Sequence, residues 1–70
     1  MDAVYNLALL LLNQLQWQEA QPLFEQVKQY NPNDASAWVG TALCLSGLQK
    51  TEEASQHFEQ ALVLNNNLPI

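Results

Sequence analysis

Seventy residues with a formal net charge of −5 make one small domain, near the lower limit for a self-sufficient apolar core. Lys28 and Lys50 are the only basic side chains besides His57. A phosphate backbone needs clustered Lys and Arg, so nucleic acid is excluded as an expected partner, and the lack of a basic amphipathic face argues against an anionic membrane surface.

The composition is globular, 49% hydrophobic, yet only 13% of residues are charged, about half the usual share. Nine Gln and seven Asn stand in their place, so the exterior is polar but weakly charged. Cys44 is alone, with no CxxC and no Cys/His ligand set, which leaves no internal disulfide and no expected metal site. A lone thiol fits a reducing compartment, and the expected location is the cytoplasm. The apolar stretch Leu7–Leu12, with Ala3, Val4 and Tyr5 before it, spans about ten residues and is too short to cross a bilayer. It also lacks the basic lead-in and small-residue cleavage site of a secretory signal.

Taken in chain order, the apolar spacing predicts four helices. Val4, Leu7, Ala8 and Leu11 follow the i, i+3, i+4, i+7 rule and predict a helix over 2–14. Ala20, Leu23, Phe24 and Val27 predict a second over 18–30, with Pro22 about five residues inside it as the awkward member. Asn31-Pro32-Asn33-Asp34 then breaks the helix, because residues before proline avoid helical angles and Asn and Asp favour turns and caps. Trp38, Thr41, Ala42 and Leu45 predict a third helix over 35–48, ended by Gly47 and the polar run Gln49-Lys50-Thr51. Thr51 is the expected cap of a fourth helix over 52–64, which carries Ala54, Phe58, Ala61 and Leu62 and is terminated by Asn65-Asn66-Asn67. Short connections imply antiparallel neighbours. No strand is expected, since period-two alternation is never sustained and Ala, Leu, Gln and Glu favour helix.

The helices are two copies of one unit. A shift of 34 residues pairs Ala3/Ala37, Ala8/Ala42, Leu9/Leu43, Leu11/Leu45, Glu19/Glu53, Ala20/Ala54, Phe24/Phe58, Glu25/Glu59, Gln26/Gln60, Asn31/Asn65 and Asn33/Asn67 without a gap. A fixed period of this length marks a repeat architecture, in which each unit buries its apolar face only against its neighbour. The units are 1–34 and 35–68, followed by a tail at 69–70.

These residues resemble the tetratricopeptide repeat, a helix–turn–helix unit of the pattern Trp-x2-Leu-Gly-x2-Tyr, Ala-x3-Phe, Pro. The matching positions are Val4, Leu7, Ala8, Leu11, Ala20, Phe24 and Pro32 in the first unit. In the second they are Trp38, Thr41, Ala42, Leu45, Ala54, Phe58 and Asn66, and the strongest part is Glu-Ala-x3-Phe-Glu-Gln at 19–26 and 53–60. A helical-hairpin repeat of another family is the alternative. Ala for Gly, Leu for Tyr, Thr41 for Leu and Asn66 for Pro are the departures, and Thr41 is expected to weaken the packing of its unit. The resemblance implies an all-α fold of two stacked hairpins, a fragment of an α-solenoid wound in the right-handed sense.

It also implies a non-catalytic protein-binding module whose first helices line a concave face. Helical spacing puts Tyr5, Asn6, Leu9, Leu12 and Asn13 on that face in the first unit, and Val39, Gly40, Leu43, Ser46 and Gly47 in the second. Tyr5, Asn6, Leu9, Leu12, Asn13, Val39, Leu43 and Ser46 are the expected contact residues, with apolar side chains giving affinity and amides bonding a peptide backbone. Several tetratricopeptide proteins hold a terminal carboxylate with Lys, Asn and Arg on this surface; no Lys or Arg occurs at these positions, so that mode is not expected. The first helix is apolar nearly all round, so burial by another repeat or subunit is the competing reading. Arrays need polar terminal caps, yet nothing after Leu64 is long enough to cover the fourth helix, and Ala3 and Leu10 have no helix before them. Joining through these ends, including homo-oligomerisation, is the alternative function.

Elsewhere the residues have structural explanations. His57 is expected at the surface, Cys44 and Trp38 in the core, and Trp17 over the hairpin junction. Glu19, Glu52 and Glu53 sit in first turns, where they complement the helix dipole. No phosphate loop and no nucleophile–base pair occurs in the sequence, so neither cofactor nor catalysis is expected. Small residues at the crossings should carry stability: Ala54→Leu should overpack its crossing and lower unfolding free energy by about 1–3 kcal/mol. Denaturant titration of both proteins checks this, and an unchanged midpoint would mean that Ala54 is not at a helix contact.

Overall fold

The computed structural model describes residues 2–66, and every regular element among them is a helix. The order is α1 (Asp2–Asn13), α2 (Trp17–Tyr30), α3 (Ala35–Gly47) and α4 (Thr51–Asn66). α1 pairs with α2, α3 pairs with α4, and the hairpins join where α3 lies on α2 with a lighter contact to α1. The expected terminators Asn67 and Leu68-Pro69-Ile70 lie outside the described residues.

Both hairpin turns use one device. At the end of α1, Leu15 adopts φ 62°, the Gln16 N–H donates to the Leu11 carbonyl at 2.9 Å and the Leu15 N–H to Leu12 at 3.0 Å. At the end of α3, Gln49 adopts φ 65°, Lys50 donates to Leu45 at 2.8 Å and Gln49 to Ser46 at 3.0 Å. This is the Schellman closure, in which a left-handed residue lets two N–H groups reach the last free carbonyls. α3 thus ends at Gly47 and the following polar run, as expected, with Gln49 taking the left-handed position. Gly47 is small for another reason, since a Cβ there would run into the indole of Trp17. Trp17 thus covers the junction of α1, α2 and α3.

The junction between hairpins also follows local chemistry. Asn31 closes α2 by donating to the Val27 carbonyl at 2.8 Å, and the Asp34 carboxylate caps α3 by accepting from the Ser36 N–H at 3.0 Å. The Trp38 indole N–H donates to the Pro32 carbonyl at 2.9 Å, pinning the loop to α3. Thr51 is the first residue of α4 and not its cap, and α4 continues through Asn66 because Asn66 brings no proline to stop it. α2 runs through Pro22, which faces solvent near the first turn.

The core is made largely of small residues. Ala8, Ala20, Ala37 and Ala42 are fully buried and Ala54 and Ala61 nearly so, around the large side chains Phe24 and Leu45. Small side chains let helix axes approach closely, so backbone as well as side-chain atoms lose contact with water. Thr41 does not weaken this packing through an unmet polar group: it is fully buried, but its hydroxyl donates to the Ala37 carbonyl at 3.0 Å. Three side chains of the predicted apolar stripes are open to solvent. Leu7 is 48% exposed, Phe58 37% and Leu62 59%, each on a face that no described helix covers.

The left-handed turn residues give a direct test. Leu15 is well exposed and carries a Cβ in a conformation that costs an L-residue about 1–2 kcal/mol. Replacing it with glycine should raise unfolding free energy by about 0.5–1 kcal/mol after the added freedom of the unfolded chain is counted. A thermal melt of Leu15→Gly no higher than that of the parent would contradict the turn described.

Candidate functional site

The face expected to bind is that of α1 and α3. One face of α3 is spent on the core, with Ala37, Gly40, Thr41 and Cys44 buried against the first hairpin, and its Val39 and Leu43 remain 37% and 40% exposed. Four residues apart, these two sit one above the other on the helix. Two depressions open beside them.

The first, of about 450 Å³, is lined by Tyr5, Ala35, Ser36, Val39, Phe58, Ala61, Leu62 and Asn65. Tyr5 enters it from α1 and is held edge-on to Phe24, the ring centres 5.9 Å apart and the planes at 77°. The second, of about 360 Å³, is lined by Leu12, Asn13, Trp17, Leu43, Ser46 and Gly47. Of the residues expected to make contact, Tyr5 and Val39 fall in the first depression and Leu12, Asn13, Leu43 and Ser46 in the second. Leu9 is half-buried against the core and Asn6 is exposed, and neither lines a depression.

Of the two glycines expected on the open face, Gly40 is not there: it is buried, because a Cβ at that position would run into the Phe24 ring, whereas Gly47 lines the second depression against Trp17. Helical spacing alone misses this: it places residues at an angle around the helix but does not say how far the neighbouring helix wraps. Phe58, Ala61, Leu62 and Asn65 add an α4 wall to the first depression that the expected set lacked. The signal for it was the uncovered fourth helix, which leaves this side of α4 unpaired.

Cations are held away from both depressions. The Lys28 ammonium lies 2.9 Å from Glu25, 3.1 Å from His57 Nε2 and 4.4 Å from the centre of the Trp38 ring. His57 Nδ1 is 2.9 Å from the Glu53 carbonyl, which can only accept, so Nδ1 carries the proton and Nε2 accepts from Lys28. His57 is half-buried and tied to two helices, not free at the surface as expected, and Trp38 stands over this cluster and is only partly in the core. The cluster joins α2, α3 and α4 by polar contacts.

Among the described residues no group of three or more His, Cys, Asp or Glu stands close enough to hold a metal ion, and no helix is long and apolar enough to cross a membrane. Cys44 is fully buried, and that burial pushes its thiol from the ordinary 9.0 up to about 11. A thiol so placed is a packing side chain.

A tetratricopeptide-repeat family model matches residues 11–68. No curated protein and no solved structure matches the chain. With two such hairpins in tandem and that match over most of its length, the chain belongs to the tetratricopeptide repeat family, whose repeats generally mediate protein–protein interaction.

The Cys44 shift sets a pH dependence. The folded thiol holds its proton more tightly than the unfolded one, so its contribution is constant below about pH 9 and is lost as pH rises from about 9 to about 11. Urea midpoints at about pH 8 and about pH 10.5 should differ more for the parent than for Cys44→Ala. Equal differences in the two proteins would remove the thiol from the account.

Proposed function

We propose that the chain is a non-catalytic interaction module that takes a peptide or partner segment on its apolar concave face. The observation that carries this reading is the position of Val39 and Leu43, two apolar side chains kept at the surface between two depressions. Their burial by a partner would supply affinity, at roughly 25 cal/mol for each Å² of apolar surface covered. Asn13 and Ser46 at the second depression offer hydrogen bonds to an extended backbone. With Lys28 engaged by Glu25, Trp38 and His57, recognition rests on apolar contact and amides and not on a cationic clamp for a carboxylate.

A second reading, joining to another helical element through the chain's ends, is favoured by one comparison. Phe24 and Phe58 stand 34 residues apart in identical Ala-x3-Phe contexts, yet the first is fully buried and the second is 37% exposed. At the other end Leu7 and Leu10 are 48% and 52% exposed. Such uncovered apolar rows are the surfaces by which repeats stack.

A crossed pair of substitutions separates the readings. Leu43→Asp should weaken capture of partners retained from native lysate by at least about tenfold, as loss of a central apolar anchor does, with helicity unchanged. Leu10→Asp, at the end row and in neither depression, should leave that capture intact. The reverse pattern, capture lost with Leu10→Asp and kept with Leu43→Asp, would give the function to the end and not to the concave face.

A further inference from the structure

The hairpins are joined almost entirely by apolar packing. Among the described residues a single hydrogen bond connects two different helices, and it runs between Lys28 Nζ on α2 and His57 Nε2 on α4 at 3.1 Å. The backbones of these two helices do not approach each other, because α3 lies between them. The contact is also no demand of the repeat. In the other copy Lys28 corresponds to Leu62, Trp38 to Val4 and His57 to Leu23. Positions that are aliphatic there hold a cation, an indole and an imidazole at this one seam.

What faces Lys28 across the seam is itself a base. The chain has seven Asp and Glu residues and three basic side chains, Lys28, Lys50 and His57, yet two of those three are set face to face. A carboxylate holds a lysine whenever it is ionised, whereas an imidazole holds one only while a ring nitrogen keeps its lone pair. Nδ1 carries the proton, since it lies 2.9 Å from the Glu53 carbonyl, so Nε2 is the atom that takes the next one. A proton there occupies the lone pair that Lys28 uses and sets a cationic ring against an ammonium group. In half-buried surroundings such a repulsion is poorly screened.

The other charges around the ring decide where Lys28 goes. α3 contributes Trp38 but no charged side chain, and α1 does not touch α4. From α2 the facing carboxylate is Glu25, 2.9 Å from the Lys28 ammonium. On α4 itself Glu53 offers the ring its carbonyl, and Glu59 is exposed. Glu25, on the same helix and already paired, is the group that keeps Lys28 when it leaves the ring.

We infer that Lys28 and His57 form a proton-sensitive brace between the hairpins, closed while His57 is neutral and opened by a proton on Nε2. Opening returns Lys28 to Glu25 and takes it off the face of Trp38. The unfolded chain holds no ammonium beside the ring, so the cost of the proton falls on the folded chain and acid loosens the seam.

Proton resonances of the intact, isotopically labelled chain read the contact. The Lys28 ammonium lies 4.4 Å from the centre of the Trp38 ring, so its ε-methylene signals should be displaced by the ring current at neutral pH, unlike those of exposed Lys50. On acidification from about pH 7.5 to about pH 5, across the ordinary histidine range, the displacement should be lost. In His57→Gln, whose amide oxygen accepts from Lys28 whatever the pH, it should persist. Over the same interval the folding equilibrium constant of the parent, taken by urea titration relative to that of His57→Gln, should fall at least about twofold. Lys28→Met should show no such fall. Lys28 signals still displaced at the acid end would overturn the switch. Signals that move with no change in the relative folding constant would overturn the brace, and an equal fall in Lys28→Met would take the effect away from this pair.

Discussion

The contact on which the rest depends is Phe24 beneath Gly40. α1 and α2 can form a hairpin by themselves, but a hairpin has one apolar face too many, and a pair of helices in water is marginal. Placing the Phe24 ring against a bare stretch of α3 backbone joins the hairpins at the shortest possible distance, and Tyr5 closes the ring from the other side. Every other feature of the joint follows from that approach. Ala37, Thr41 and Cys44 must be small because the axes are close, and the Thr41 hydroxyl must turn back on the Ala37 carbonyl because no water reaches it.

The same closeness explains the polar joint at the other side of α2. Where α3 and α4 diverge from the Phe24 contact, the space is filled not by aliphatic packing but by Lys28, Trp38 and His57. The long Lys28 stem covers apolar surface and its ammonium ends between an aromatic face, a ring nitrogen and the Glu25 carboxylate, so a charge is brought into a half-buried place with partners on several sides. Using one of two lysines in this way leaves the concave face without a cation.

The sequence made much of this legible and some of it not. The period, the helices and the small crossings could be read because each is local or repeats at a fixed interval. α3 ends at Gly47 and the polar run after it, as expected, but nothing in α3 itself reveals that Trp17 lies on Gly47. Gln49 took the cap although it carries a Cβ, as did Leu15 at the equivalent position, so turn geometry here is set by the hairpin and tolerated by the side chain. Leu7, Phe58 and Leu62 lie on predicted apolar stripes yet are exposed, because helical spacing marks a stripe without saying whether a neighbour exists. The split of the concave face into two depressions depended on how far α4 and Trp17 reach, which is a tertiary quantity.

Duplication with divergence gives the molecule a direction. If both units were identical on every face, the contact at Phe24 would be available again at Phe58, and a head-to-tail contact that does not close generates open filaments. Among the many positions that differ between the units, Asn6, Leu7 and Leu10 stand where Gly40, Thr41 and Cys44 stand in the second unit. Bulk at these sites costs α1 nothing inside its own hairpin, since Asn6, Leu7 and Leu10 point away from it and are exposed. It acts only against a copy arriving from outside, which is how specificity is obtained when the attractive surface is generic.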